Sequence, residues 1–313
     1  MDGQGFGVLD ASFLQLAIGA ATPILFVALG EVIAERSGVM NISTEGIMLN
    51  GALAGMAVGV FTGNPWMGIL AAVLTGCATS LVLAIWAISF GANQVVVGIV
   101  INLIASGATT LVYQVVFPQA GGHLIRTPPF APVEVPAALG TTLQAVLTQN
   151  VLVYAAFVAA LILTYLLFRT PLGLLLRAVG ESAAAADTAG IDVVRVRYLA
   201  TMFGGAMAGL GGAYLSLVDV HAFQPNMTAG RGFIGLAVVI VGKWHPIGAL
   251  GLCLLFGAAE SVAYRAQGLG LPVPPLVLTL LPYILTLIVL AGTVGRVVEP
   301  RELTKPYIRE QQI

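Results

Sequence analysis

Apolar runs about as long as a bilayer core is thick recur along nearly the whole of this chain, and few folds can house them. They fall at 12–34, 44–62, 66–90, 95–117, 149–168, 194–218, 228–242, 246–266 and 274–292. Roughly 20 apolar residues in a helix cross the hydrocarbon core, and in lipid only helices and closed barrels satisfy every backbone N–H and C=O. Charged residues make up 9% of the 313 and hydrophobic ones 58%, where a soluble domain carries roughly 25% charge. No solvated surface can be assembled from that supply. The expected fold is all-α, a polytopic transmembrane helical bundle of about nine spans, organised as a single transmembrane domain over 1–313.

The 13 Lys and Arg residues give the bundle a direction, because short cytoplasmic loops collect positive charge. With the N-terminus outside, Arg36, Arg169, Arg177, Arg195, Arg197, Lys243, Arg296, Arg301, Lys305 and Arg309 lie in the cytoplasm, and Arg126, Arg231 and Arg265 on the outer side. An odd number of spans then leaves the C-terminus cytoplasmic. Met1 to Asp10 holds no Lys or Arg, so the start lacks the basic region of a cleaved signal peptide. The segment 228–242 is the irregular one: its purely apolar part, Phe233 to Gly242, reaches only about half-way across the core. It reads as a broken or half helix, which membranes accept where backbone is buried in protein. The outer loop 118–148 carries Pro118, Pro128, Pro129, Pro132 and Pro136, and Pro282 should kink the last span. Asn64-Pro65-Trp66-Met67-Gly68-Ile69-Leu70 and Trp244-His245-Pro246-Ile247-Gly248-Ala249-Leu250 echo one another at the starts of oppositely directed spans. An inverted repeat leaves such a trace, and so does chance in Gly-rich sequence.

Two polar stretches stand out. From Arg169 to Val193 about two dozen water-compatible residues separate two membrane-length runs, too long for a turn and too short for a domain. Pro171 suits a first helical turn, Ala183 to Ala186 favour helix, Gly190 is a natural stop, and Glu181, Asp187 and Asp192 keep the stretch wet. It reads as a short surface helix offered to something outside the lipid. From Gly30 to Gly51, Glu31, Glu35, Glu45, Arg36, Asn41 and Asn50 gather where the chain turns between helices. Charge at membrane depth costs roughly 2.5–3.5 kcal/mol on insertion scales and usually faces a partner or a water-filled path; a solvated loop with Ser43 or Thr44 as a cap is the plainer alternative.

Asn93, Gln94, Asn102, Gln114 and Glu260 are the other polar groups in or near spans. Amides both donate and accept, which suits a neutral polyhydroxylated or heterocyclic solute as well as inter-helix bonding. The candidate path residues are Asn41, Ser43, Glu45, Asn50, Asn93 and Asn102. Small residues at four-residue spacing, Gly51, Gly55 and Gly59, then Gly205 and Gly209, imply closely packed helices. Cys77 and Cys253 lie in apolar runs and read as packing residues, and His123, His221 and His245 sit in separate loops with no metal-binding spacing. No cofactor is implied. No G-x-x-x-x-G-K-[ST] loop is present, so any ATP that drives this chain is hydrolysed elsewhere.

These residues resemble the permease subunits of bacterial ABC importers, in the branch serving simple sugars, nucleosides and branched-chain amino acids. The likeness covers nearly the whole chain. It rests on the block 30–51, with Glu-Arg-Ser-Gly at 35–38, Asn41 and Glu45-Gly46, and on 171–193, with Leu-Arg-Ala-Val-Gly-Glu at 176–181 and Ala-Gly-Ile-Asp at 189–192. The first block is most similar to nucleoside and simple-sugar permeases. The second is similar to the family's cytoplasmic coupling segment, about 169–193 here. The resemblance implies an inner-membrane importer with ABC ATPase subunits, a second and non-identical permease, and an extracytoplasmic solute-binding protein, with no nucleic acid involved. It implies a coupling helix near 181–189, with Arg177, Glu181, Asp187 and Gly190 as candidate ATPase-coupling residues. A branched-chain amino acid permease is the alternative within the family. An ion-coupled carrier relying on Glu260 and a membrane scaffold are the alternatives outside it.

Overall fold

The computed structural model describes residues 11–118, 124–133, 144, 146–268, 280, 284–285, 288, 291 and 298–307. Its helices are α1 (Ala11–Arg36), α2 (Thr44–Thr62), α3 (Pro65–Ala84), α4 (Gln94–Val116), α5 (Val151–Arg169), α6 (Pro171–Glu181), α7 (Ala183–Thr188), α8 (Val193–Tyr214), α9 (Arg231–Val241) and α10 (Pro246–Gly268). Wider π turns at Ile85–Ser89 and Leu215–Asp219 extend α3 and α8. No strand occurs among the described residues.

Among the described residues seven helices are long and apolar enough to cross a membrane: α1 to α5, α8 and α10, with α3 and α8 counted through their π turns. The segment 228–242 forms only the 11-residue α9, about 16 Å long at 1.5 Å per residue and so half a crossing. The expected span 274–292, with Pro282, lies outside the described residues except at isolated positions. Among the described residues, seven helices of membrane length and one half helix thus occupy eight of the nine expected segments. The two echoed motifs each open a helix with proline at or beside its first position. The Asn64 side chain accepts from Trp66 N–H at 2.9 Å and His245 Nδ1 from Ile247 N–H at 3.2 Å. The two starts thus share a capping device.

Helix ends fall where the sequence supplies caps for their unpaired N–H groups. Asn93 accepts from Val95 and Val96 N–H, Asn150 from Leu152, Thr170 from Gly173 and Asp192 from Arg195. Most of α1 is buried on every side, ringed by α5, α6, α8, α9 and α10. A helix apolar all round belongs inside such a bundle. Lipid gives apolar helices no reason to associate, so contact depends on backbones coming close. Gly30 meets Gly204, Gly51 meets Gly209, and Gly76 meets Gly205, so α8 lies directly against α1, α2 and α3.

One end of the bundle is basic and tied together. Residues 298–307 lie across it as a strap: Glu302 N–H donates to the Gly180 carbonyl at 2.9 Å and Thr304 N–H to that of Gly38 at 3.2 Å. Arg197, 1% exposed, donates to the Ser37 carbonyl at 3.2 Å and the Lys305 carbonyl at 2.9 Å.

A Cβ at Gly212 would sit 1.9 Å from the Met48 carbonyl oxygen, whereas at Gly107 it would meet nothing within 4 Å. Gly212→Val should therefore abolish recovery of folded protein from membranes, since backbone cannot yield as a side chain can. Gly107→Ala should be recovered at the normal level. Size-exclusion profiles of detergent extracts distinguish the two, and equal profiles would contradict the packing account.

Candidate functional site

The start of α2 is the focus of the bundle. Met48 and Gly51 lie against Gly212 and Gly209, in the last turns of α8, and Thr44, the first residue of α2, is fully buried, so α2 begins inside the bundle. A helix start there leaves N–H groups with no water to satisfy them. The chain solves this locally: the Asn41 carboxamide oxygen accepts from Ser43 N–H at 3.1 Å and from its hydroxyl at 2.5 Å. From α4, Asn102 accepts from Gly46 N–H at 2.7 Å and donates to the Ile42 carbonyl at 2.8 Å. Gln94 accepts from Met40 N–H at 2.8 Å. Together these side chains pair the backbone through the break between α1 and α2.

Half helix α9 starts at the same place. After α8 the chain turns back through 220–230, with positive φ at His221, Asn226, Ala229 and Gly230, and α9 opens against the first turn of α2. The Glu45 carboxylate accepts from the Thr228 hydroxyl at 2.6 Å, Gly230 N–H at 2.7 Å and Gly232 N–H at 2.8 Å. An anion at a helix N-terminus is favoured by both the unpaired N–H groups and the helix dipole. Gly232 is needed for the approach, since a Cβ there would lie 2.5 Å from Glu45 N. On the other side of this turn Arg231 pairs with Glu260, which also accepts from the Tyr264 hydroxyl at 3.1 Å. Arg231 is thus a buried partner of α10, with 14% of its side chain exposed, and not the outer-loop charge that the sequence suggests.

Beside this break, α2, α3 and α4 enclose a groove of about 620 Å³. Its walls are apolar (Leu74, Val82, Ile101, Ile104), and its polar lining is Asn50, Thr75 and Thr79, with Asn50 Nδ2 donating to Thr79 Oγ1 at 3.2 Å. The structure thus gathers Asn41, Ser43, Glu45 and Asn102 at one point and sets Asn50 in the adjoining groove. Asn93 is apart from them, capping α4.

At the basic end α9 is gripped again. Lys243 and Trp244 both adopt positive φ, 58° and 52°, a conformation that costs a non-glycine residue about 1 kcal/mol or more. Trp244 Nε1 donates to Glu35, while Arg36 donates to the Trp244 carbonyl at 3.1 Å and the Lys243 carbonyl at 3.4 Å. The Phe168 ring carries Arg36 and Arg177 at 5.8 and 5.3 Å and stacks on His245 at 4.7 Å. Burial, and then the nearby Arg36 charge, hold the His245 imidazole below its usual range, which keeps the ring neutral between two guanidinium groups at pH 7.

The stretch 169–193 forms two helices. Ser182 caps α7, and Gly190, at φ +84°, ends it. Arg177 belongs to the Phe168 stack, Glu181 is exposed at the end of α6, and Asp187 and Gly190 border a cavity of about 210 Å³ closed by Tyr307. Val179, Ala183, Ala186 and Val193 bury the inner face of this segment.

Thr228, Gly230, Gly232 and Trp244 were missed by sequence reasoning. Thr-Ala-Gly-Arg-Gly before a run too short to cross signals a buried helix start, but nothing in it names a partner 183 residues away. Glu45→Gln replaces one acceptor oxygen with a donor that faces N–H groups. It should destabilise the protein by about 2 kcal/mol. Thr228→Val should cost about 1 kcal/mol, and the pair should cost less than the sum. Thermal unfolding in detergent measures the cycle, and strict additivity would show that the two side chains do not interact.

Residues 14–290 match the family described as branched-chain amino acid transport system / permease component. The guanosine ABC transporter permease protein NupQ of Bacillus subtilis is 38% identical over 92% of this chain and 94% of its own length. The nucleoside ABC transporter permease protein NupC of Lactococcus lactis is 34% identical over 93% and 95%. TsgC13 of Haloferax volcanii, named as a candidate glucose ABC transporter permease, is 35% identical over 96% and 98%. With a match over most of its length and relatives covered nearly end to end, the chain belongs to the branched-chain amino acid transport system / permease component family.

Proposed function

We propose that this chain is the membrane-spanning permease subunit of an ATP-driven importer for nucleosides. The observation that carries the reading is the end-to-end likeness to permeases named for guanosine and for nucleosides. A related simple sugar is the second reading, favoured by the similarity to TsgC13. The basic end of the bundle is cytoplasmic, the N-terminus outside and the C-terminus inside, as the clustering of Arg36, Arg169, Arg177, Arg197, Lys243 and Lys305 supports.

ATP is hydrolysed on separate ATPase subunits that engage the segment 169–193, with α7 as the coupling helix and Arg177, Glu181, Asp187 and Gly190 at the contact. The exposed Glu181 and the firm anchoring of α6 and α7 from beneath support that role. The solute passes along the α2–α4 groove. Asn50 contacts it, Asn41, Ser43, Glu45 and Asn102 shape the inner wall, and Asn93 stands at the cytoplasmic end of α4. An amide set in an otherwise apolar groove open to lipid would be unfavourable, which supports a second, non-identical permease closing that face. An extracytoplasmic binding protein delivers the solute.

Deleting the chain should abolish uptake of labelled guanosine in cells, with no competition by unlabelled ribose or leucine. Unchanged guanosine uptake would remove the nucleoside reading, and competition by ribose would favour the sugar. Glu181→Lys should leave the protein in the membrane at normal abundance while uptake falls at least about tenfold. Normal uptake by that variant would exclude Glu181 from coupling.

A further inference from the structure

We propose that Arg36 is the positioning residue that ties the coupling segment to half helix α9, so that displacement of α6 reaches the Glu45 cradle inside the bundle. The inference rests on the importer reading above, and its parts are geometric. On one side Arg36, the last residue of α1, abuts α6: its carbonyl oxygen is so close to Gly180 that a Cβ there would lie 2.1 Å away. Its guanidinium shares the Phe168 ring with Arg177 of α6. On the other side the same guanidinium donates to the Trp244 and Lys243 carbonyls, at 3.1 and 3.4 Å, the two left-handed residues that end α9. Trp244, 2% exposed, is fixed to the preceding residue of α1 through Glu35.

Between its ends α9 is a short, stiff rod. Gly235 rides on Val27, where a Cβ would come within 2.6 Å of the Val27 side chain, so the rod can slide along α1 more readily than it can swing away. Its far end is held by the three hydrogen bonds to Glu45, by the Thr44 hydroxyl donating to the Gly232 carbonyl at 3.3 Å, and by the pairing of Arg231 with Glu260. A push on α6 is passed by Arg36 to the left-handed turn, by α9 along its axis, and by Gly230 and Gly232 to the start of α2, which also supplies Asn50 to the groove. A guanidinium suits this task because its planar fork bonds two carbonyls while its face lies on an aromatic ring.

The test uses the whole transporter, the chain co-expressed with the ATPase that co-purifies with it, in vesicles, with guanosine as the probe. Arg36→Gln should keep the ATPase bound and hydrolysing at the wild-type rate, while guanosine moved per ATP falls about tenfold. Arg36→Lys should recover only part, and Phe168→Leu should shift in the same direction. A cysteine at Met227, with Cys77 and Cys253 replaced by Ala, reports on the far end of the link. Its labelling by a thiol reagent should change on trapping with ATP and vanadate in an otherwise wild-type chain and stay constant with Arg36→Gln. Wild-type transport per ATP in Arg36→Gln, or a labelling change that persists, would overturn the proposal. So would hydrolysis and transport falling together with the amount of folded protein, which marks a purely structural role. A wild-type complex that moves no guanosine overturns the nucleoside reading itself, and is seen before any variant is made.

Discussion

A helix that starts inside a membrane bundle must satisfy its first N–H groups without water, and the centre of this protein is organised around that requirement. Two helices begin there, α2 and α9, and the first turn of one carries the carboxylate that caps the other. An unpaired backbone group in such surroundings costs several kcal/mol, and side chains of the break pair it: Asn41 for Ser43, Asn102 for Ile42 and Gly46, Glu45 for Thr228 to Gly232. The acidic and amide residues that look extravagant in an apolar sequence are, first, substitutes for water. Any role in passing a solute is built on that one.

Small residues do the complementary work. Lipid removes the hydrophobic incentive for helices to associate, and α8 answers by presenting glycine to three neighbours at once, reaching Gly30, Gly51 and Gly76. Backbone-to-backbone contact of this kind leaves little freedom in the α1, α2, α3 and α8 core. The half helix is held differently, by polar bonds at its ends and by Ile234, Val238 and Val239 buried between them.

The bundle was legible in the sequence because span length is set by the bilayer and acts one residue at a time. The half helix was legible for the same reason: Phe233 to Gly242 is too short to cross. The limits of α7 follow from Ser182 and Gly190, whose preferences are local. The partners were not legible. Asn93 and Asn102 are the same residue type on one helix, nine positions apart, yet one caps that helix and the other pairs the backbone of a neighbour. Glu35 and Trp244 meet only because α9 stops short and turns back. Such pairings depend on how helices are stacked, which no local pattern encodes.

The grip on the end of α1 has a consequence for how the protein is made. Glu35 and Arg36 emerge early from the ribosome, but the residues they bind lie 209 and 208 positions further on. The strap over Gly38 comes later still, at Thr304. At roughly 5–20 residues per second, the first span waits on the order of tens of seconds in the bilayer with its polar side unmatched. Biogenesis is therefore loaded toward the later helices, and α1 is finished long after it is inserted.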